Sequence, residues 1–261
     1  MNSMAISVFV PDYSSEHLVP VMSISRHCKR RCAGVVHTWS IAALALLATP
    51  ILAAAQPPTK VTPKLEPIRI VLPQPMFEGT PQNLKVPNLE KPRYKARDPF
   101  LAPAGVVNVA RRKKVVGSDM APVIGELSML TDGDRSGEEG SYVELGPGRQ
   151  QVTVDLGAQF EIYAVLFWHF HQTPRVYFDV VVQIADDEKF TMNVRTLFNN
   201  DHDNTSKLGA GKDMNYVETS EGRLVDAKGS LARFVRLYSN GSNANEMNHY
   251  IEIEVFGRPV K

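Results

Sequence analysis

The stretch 151-QVTVDL-156 alternates apolar and polar residues, with Val152 and Val154 on one face. A second stretch, 249-HYIEIEVFG-257, alternates isoleucine and valine with glutamate in the same way. Successive side chains of a strand point to opposite faces of a sheet, so a period of two with one polar face is typical of a half-buried antiparallel strand. Both stretches therefore predict strands that cover a core with one face.

More short apolar segments follow along the chain from residue 108 onward. They are rich in Val, Ile, Phe and Tyr, and the gaps between them are rich in Gly, Asn, Asp and Ser. We predict strands near 108–116, 150–156, 161–171, 176–185, 194–198, 232–239 and 249–256. Only 119–130 and 221–229 have a pattern that allows a turn or two of helix. Many short strands with few helices predict an all-β fold, an antiparallel β-sandwich or jelly roll.

The first 55 residues have the pattern of a secretory signal. Residues 26-RHCKRR-31 are basic, 39-WSIAALALLATPILAAA-55 is almost wholly apolar, and 53-AAA-55 matches a small-residue cleavage site. The apolar segment is short for a bilayer span and contains Pro50, which disfavours a permanent anchor. We therefore predict a signal peptide over 1–55 and a protein that is secreted, periplasmic or in the cell envelope.

Residues 56–107 form a proline-rich segment. Eleven of the chain's 18 prolines lie between residues 57 and 103. Proline lacks a backbone donor and fixes φ, so neither a helix nor a central strand is expected here. We predict an extended arm, mobile over 57–90 and docked on the domain over 95–107.

Charge and cysteine content exclude several function classes for residues 108–261. This region has 17 basic and 22 acidic residues, a net charge of −5, which disfavours nucleic acid as a partner. The short run 111-RRKK-114 has no interleaved aromatic residue and is interpreted as a solvated strand edge. Both cysteines, Cys28 and Cys32, lie near the N-terminus, so a disulfide, a thiolate zinc site and a cysteine nucleophile are excluded after them.

Five fragments resemble, in order, the motifs of discoidin domains, also called coagulation factor 5/8 type C or galactose-binding-like domains. The fragments are 108-NVARRKKVVGSD-119, 130-LTDGD-134, 151-QVTVDLG-157, 233-RFVRLYSN-240 and 252-EIEVFG-257. The middle of the region, 158–230, departs from the best-known members and looks like a bacterial subfamily of secreted proteins. The resemblance implies an eight-stranded antiparallel jelly roll over 108–261, with loops at one end that often bind sugars, and often one structural calcium ion.

The resemblance also implies where calcium would bind. The loop 131-TDGDRSGEEG-140 offers Asp132 and Asp134, Ser136 lies near the family's hydroxyl ligand, and Glu252 matches the glutamate of the last strand. Calcium prefers six to eight oxygen ligands on irregular backbone, which this loop provides. The alternative is a turn in which Asp132 binds its own backbone. For a second acidic loop, 199–213, a solvated loop is favoured over an ion site because the required ligand spacing is absent.

The stretch 168-WHFH-171 contains two histidines two residues apart. On a strand, His169 and His171 share one face, and Trp168 and Phe170 share the other. The Trp168 face continues as a run of apolar residues, so we predict that it is the core face. A metal would need a third ligand such as His249 or Asp179. Histidines bound to loop backbone are the favoured interpretation, and a role in contacting a ligand is the next.

Sugar binding needs an aromatic plate and forked donors and acceptors for hydroxyls. Candidate aromatic residues are Trp168, Tyr177, Tyr142 and Tyr250. The predicted ligand-binding residues are Trp168, His169, His171, Arg175, Asn240, Asn243 and Asn248. The loop 239–249 supplies three of these residues, and the equal alternative is an ordinary turn-rich loop.

No catalytic motif is recognisable in the sequence: it has no Gly-x-Ser-x-Gly, no HExxH and no phosphate loop. The first hypothesis is a non-enzymatic, calcium-stabilised module that binds carbohydrate or another envelope ligand. The second is a structural or protein-interaction module in which the proline-rich arm docks on a partner. The third and weakest is a glycoside hydrolase whose carboxylates come from the long loops.

Overall fold

The computed structural model describes residues 64–77, 81 and 84–260. The predicted signal peptide lies outside these residues. The described chain forms eleven strands and one 3-10 helix, η1. Their bounds are β1 Leu65–Pro67, β2 Leu101–Pro103, β3 Val107–Asn108, β4 Lys114–Gly117, η1 Leu127–Thr131, β5 Val143–Leu145, β6 Gln150–Trp168, β7 Val181–Ala185, β8 Arg195–Asn199, β9 Arg223–Ser239, β10 Asn248–Tyr250 and β11 Glu252–Pro259.

Two long strands, β6 and β9, build both layers of the fold. Residues 150–155 of β6 pair with β4 and with the last part of β9, which continues through β7 to β8. Residues 160–168 of β6 pair with β11 and with the first part of β9, and β11 pairs with β3. The pairing of β6 with β9 is interrupted between Asp155 and Phe160, where the register shifts. All these pairings are antiparallel.

The two layers enclose one apolar core. Val152 and Val154 from the first part of β6 belong to the same buried cluster as Val165 and Phe167 from its second part. Val182, Ile184, Val235, Leu237, Ile253 and Val255 complete it from β7, β9 and β11. The predicted antiparallel β-sandwich is thereby confirmed. The predicted strands 150–156 and 161–171 are joined into one, and 221–229 belongs mostly to β9 rather than to a helix.

Both faces of the second part of β6 are buried, so the Trp168 face is a core face as predicted, although most of it belongs to a second, smaller apolar cluster. Val165, Phe167 and His169 face the main core, whereas Ala164, Leu166 and Trp168 lie on the outer side of the sandwich. That outer side is nevertheless buried, because residues of the N-terminal arm cover it.

The arm is part of the folded unit. Ile68 and Ala102 pack in a second apolar cluster with Leu166, Trp168 and Phe256. β1 pairs with β2, and the backbone of Asn88 and Glu90 bonds to Asn215. The expectation of mobile chain over 57–90 is therefore wrong for residues 64–70 and 87–90, since apolar burial and backbone hydrogen bonds hold them.

Among the described residues, no helix has the length and apolar character needed to cross a bilayer.

Candidate functional site

Four of the predicted ligand-binding residues are inside the protein. Trp168, His169, His171 and Asn248 each have a fully buried residue surface. The indole of Trp168 donates to the carbonyl of Ser220 at 2.9 Å. Nε2 of His171 lies 2.9 Å from the carbonyl oxygen of Arg135. These side chains are not exposed to a ligand at the surface, and the prediction is corrected for these four residues because the arm and loops cover them.

His169 belongs to a buried aromatic and polar cluster. Its ring stacks on Tyr177 with 4.3 Å between centroids, and Nδ1 lies 3.2 Å from a carboxylate oxygen of Glu218. Neither histidine belongs to a group of three metal-ligating side chains within the described residues. The favoured interpretation, hydrogen bonding to loop backbone, holds for His171, while the partner of His169 is a side chain.

Asn248 organises the loop between β9 and β10. Its amide nitrogen donates to the carbonyls of Gly146 and Gly148, and its amide oxygen accepts from Ser239 and from the backbone of Gly241. All its polar atoms are used, so it shapes the loop and does not bind a ligand.

The remaining predicted residues lie at the surface of the loop end. Asn243 is exposed, and its side-chain oxygen accepts from the backbone of Val176, next to Arg175. Asn240 is half-buried and donates to the carboxylate of Asp179 at 2.8 Å. The structure therefore brings Arg175 and Asn243 together, while the side chain of Asn240 is directed to a neighbouring acidic group.

Arg175 lies in a cluster that we call the loop-end cluster: Tyr142, Glu144, Phe170, Arg175 and His249. The guanidinium lies 4.5 Å from the centroid of the Phe170 ring, and Tyr142 meets Phe170 edge to face at 5.2 Å. Both aromatic rings and Arg175 are half-buried, so each keeps a surface in contact with solvent. Pairing of β5 with β10 places Glu144 directly opposite His249.

The protonation of His249 is defined by its neighbours. Nε2 lies 2.8 Å from a carboxylate oxygen of Glu144, which can only accept, so Nε2 carries the proton and donates it. Burial lowers the pKa of His249, as does the nearby charge of Arg175, although Glu144 opposes both effects. The ring is therefore neutral at pH 7 and orients the Glu144 carboxylate.

In the loop where calcium was predicted, the carboxylates accept hydrogen bonds from the backbone of the loop itself. Oδ1 of Asp132 accepts from the backbone of Asp134 at 2.7 Å, and Oδ1 of Asp134 accepts from the backbone of Ser136 at 2.9 Å. Oε2 of Glu252 accepts from the backbone of Gly133 at 3.0 Å. This is the alternative that the sequence left open, a loop in which aspartates bind their own backbone.

Two arginines supply positive charge at the same loop. Arg135 pairs with Glu254 through Nε and Nη2, while its Nη1 donates to the carbonyl of Gly133 at 2.8 Å. The Arg111 guanidinium fills the space where a side chain at Gly133 would begin. Asp132, Asp134 and Glu252 do not form a three-carboxylate group among the described residues. Arg135 and Arg111 thus bring positive charge to this loop, while calcium at Asp132, Asp134, Ser136 and Glu252 stays a prediction.

Glu252 has one buried carboxylate oxygen, Oε1, without a hydrogen-bond partner. Burial raises the pKa of Glu252 to about 8; the nearby charge of Glu254 acts in the same direction, and the hydrogen bond from Gly133 acts against it. Either a proton or a cation can occupy the position beside this buried oxygen.

A separate acidic group lies beside Asn240. Asp179, Asp201 and Asp203 have carboxylate oxygens within 4.8 Å of one another. Asp201 is buried; although burial raises its pKa, hydrogen bonds from Ser206 lower it overall. Thr205 donates to Asp179 at 2.7 Å, so the group is tied by hydrogen bonds of its own loop.

Two clefts lie away from the loop-end cluster. One of about 280 Å³ separates arm residues 71–76 from the loop at Asp134–Ser136, with Gln172 at its side. The other, of about 670 Å³, lies at the opposite end of the sandwich, where β6 and β9 change layers, and includes Arg195 and Lys228.

Sequence reasoning missed Glu144 and Phe170, and it considered His249 only as a metal ligand. Phe170 was assigned to the core because it alternates with Trp168, yet the strand ends at Trp168 and the alternation ends with it. The pairing of Glu144 with His249 joins residues 105 positions apart, and no local pattern signals it.

No family model matches the chain, and no curated protein matches it. Solved structures that resemble it include the CBM32 of AlyQ in complex with 4,5-unsaturated mannuronic acid, at 15% identity and TM-score 0.40, covering 55% of this chain and 93% of that one. Chitosan-binding module 1 from a Paenibacillus sp. IK-5 chitosanase/glucanase has 18% identity and TM-score 0.42, covering 57% and 98%. CpGH89CBM32-4 of Clostridium perfringens, in complex with GlcNAc-α-1,4-galactose, has 20% identity and TM-score 0.44, covering 59% and 96%. All three of these solved structures are carbohydrate-binding modules.

Proposed function

We propose that the protein is a non-catalytic carbohydrate-binding module whose ligand binds at the loop-end cluster. The observation that supports this most directly is the half-exposed stack of Arg175 on Phe170, with the Tyr142 ring beside it. Nothing in the packing of the core requires a guanidinium at this place.

The chemistry of the cluster suits a sugar. Partly exposed aromatic rings offer an apolar face on which the C–H face of a pyranose can pack. The Arg175 guanidinium presents planar, forked donors, and the Glu144 carboxylate offers acceptors for hydroxyl groups. His249 donates a hydrogen bond to Glu144, and Arg175 donates one to Thr173. Because both charged side chains are already held in place, they lose little conformational freedom when a ligand binds.

The proposal is tested by affinity electrophoresis through gels that contain soluble polysaccharides, with and without acidic sugars. The protein should be retarded by at least one of them, and Phe170→Ala combined with Arg175→Ala should weaken binding at least tenfold, about 1.4 kcal/mol. The matched control is Arg69→Ala, which removes an exposed arginine of the arm outside the cluster. If no polysaccharide retards the protein, or if the double variant binds as well as the control, the proposal fails.

We also propose that the protein is exported. The basic residues 26–31 and the apolar run 39–55 support this. The N-terminal sequence of the mature protein tests it: cleavage after Ala55 should leave Gln56 as the first residue. A mature protein that retains the apolar run would contradict export by a cleaved signal.

A further inference from the structure

We infer that the ligand is an acidic saccharide, and that Arg175 determines specificity by binding its carboxylate. This inference rests on the proposed function, since it names the ligand class of the same cluster. The charges of the five residues in the loop-end cluster, rather than their shape, support it.

Arg175 has no carboxylate partner in the part of the chain that the structure describes. Its Nε donates to the hydroxyl of Thr173 at 3.3 Å, and its planar face lies on Phe170. Both contacts are with uncharged groups. Arg93, Arg135, Arg223, Arg233 and Arg258 each form an ion pair with a glutamate or aspartate. Other arginines without an ion pair donate to backbone carbonyls, namely Arg97, Arg149, Arg195 and Arg236, whereas no side-chain bond of Arg175 to a carbonyl is found among the described residues.

Glu144 is the carboxylate that would be expected to neutralise Arg175, but it is already engaged. It accepts the proton of His249 Nε2 at 2.8 Å. Because that nitrogen donates to Glu144, it has no lone pair for Arg175, and the 3.5 Å separation between Arg175 Nη1 and His249 Nε2 is a contact without a hydrogen bond. Glu144 keeps its charge but binds His249, and within the described residues it forms no ion pair with Arg175 at 4.0 Å or less.

A half-buried cation without a counter-ion favours an anionic ligand. Partial burial removes water from the guanidinium, and no ion pair compensates for the lost hydration. A bound carboxylate would supply the missing negative charge. A carboxylate also matches the fork of the guanidinium with two parallel hydrogen bonds, which are stronger than bonds to neutral hydroxyl groups. The guanidinium of Arg175 stacks on the Phe170 ring, and this contact fixes the plane in which its two hydrogen bonds to a carboxylate would form.

The experiment compares polymers that share a sugar backbone and differ in whether the carboxyl groups are ionised or esterified. Polygalacturonate is paired with its methyl ester, and alginate with its propylene glycol ester. A glycan array with acidic and neutral sugars supplies further pairs. At low salt we expect the best-bound acidic member of a pair to bind at least tenfold more tightly than its neutral partner, and this preference to decline as sodium chloride is raised.

Substitutions then assign the preference to Arg175. Arg175→Gln should remove the preference while weak binding of neutral sugars remains, and Arg175→Lys should retain part of it because the charge is kept but the fork is lost. The control Arg69→Gln removes the same charge from an exposed site of the arm and should leave the preference unchanged. Thermal melting of each variant confirms that it is folded.

The outcomes separate the two proposals. Binding of neutral sugars with equal or higher affinity, or an acidic preference that survives Arg175→Gln, overturns the inference and leaves the proposed function standing. A preference for sulfated over carboxylated sugars overturns the carboxylate assignment. Failure to bind any saccharide, charged or neutral, overturns the proposed function itself.

Discussion

Arg135 and Glu254 form an ion pair that is almost wholly withdrawn from solvent, with side chains 17% and 3% exposed. The same guanidinium lies 5.8 Å from the centroid of the Trp168 ring and binds the carbonyl of Gly133. One side chain thus joins the acidic loop, the last strand and the outer face of the sandwich. Removing it would leave the Glu254 carboxylate buried without a partner.

We therefore expect Arg135→Met to destabilise the protein by about 3–5 kcal/mol, as is typical when one partner of a buried pair is removed. The control is Arg93→Met, which breaks a pair with Glu221 in which the arginine is 53% exposed, and it should cost about 1 kcal/mol or less. Urea unfolding measures both. Equal losses in the two variants would show that burial does not distinguish the pairs.

Glu252 should make stability depend on pH. Its pKa is raised by burial to about 8 from an ordinary 4.5, so the folded protein keeps a proton that the unfolded chain has lost. Between these two values the folded state binds more protons, and the stability it contributes must fall as pH rises, by at most about 1.4 kcal/mol per pH unit. Glu252→Gln should flatten the curve and stabilise the protein at pH 8 more than at pH 5. Parallel curves for the two proteins would contradict the raised pKa.

Calcium binding at the 131–140 loop is tested by removing calcium. We expect an unchanged melting temperature if Arg135 and a proton on Glu252 stabilise the loop without an ion. Melting in EDTA and in millimolar calcium measures this, because an ion bound only to the folded state must raise the melting temperature. A drop in EDTA that disappears in Glu252→Gln would restore calcium at this loop. A drop that persists in that variant would instead point to Asp179, Asp201 and Asp203.

The contact of the arm with Trp168 can be followed by fluorescence. Once residues 1–55 are removed, Trp168 is the only tryptophan, and it is fully buried under Ile68 and its neighbours. Ile68→Asp should detach the arm, shift the emission to longer wavelength and lower the melting temperature, because a charge replaces a buried apolar contact. Leu65→Asp, three residues earlier in β1 and 55% exposed, serves as control and should change neither. Unchanged emission in Ile68→Asp would mean that the arm does not shield Trp168.

The fold could be predicted because the alternation of apolar and polar residues along a strand is a local feature of the sequence. A buried face is visible within six residues of sequence, for example at Val152 and Val154 or at Ile253 and Val255. The arm was partly misjudged because its prolines exclude regular structure but not burial. Ile68 is held by one backbone bond to Phe100 and by apolar contacts to Trp168, which no local pattern encodes.

The site was predicted less well, for a related reason. Arg175 and Tyr142 were candidates from the sequence and remain half-buried at the surface, so their role stays a prediction. Trp168 and His169 were candidates too, because the sequence could not show that the arm and the 215–222 loop cover them. Glu144 was missed since its role depends on strand pairing with His249.

Because β6 and β9 both run through the two layers, neither layer can lose its strands while the other keeps them. Unfolding should therefore be a single cooperative transition, with amide protons in both halves of β6 exchanging through the same global opening. Most pairings also join residues far apart in sequence, as when Glu252 lies opposite Trp168, so the chain must close long loops before these contacts form. We therefore expect refolding to be slow. Because the two layers share β6 and β9, we also expect the sheets that carry the loops to be rigid.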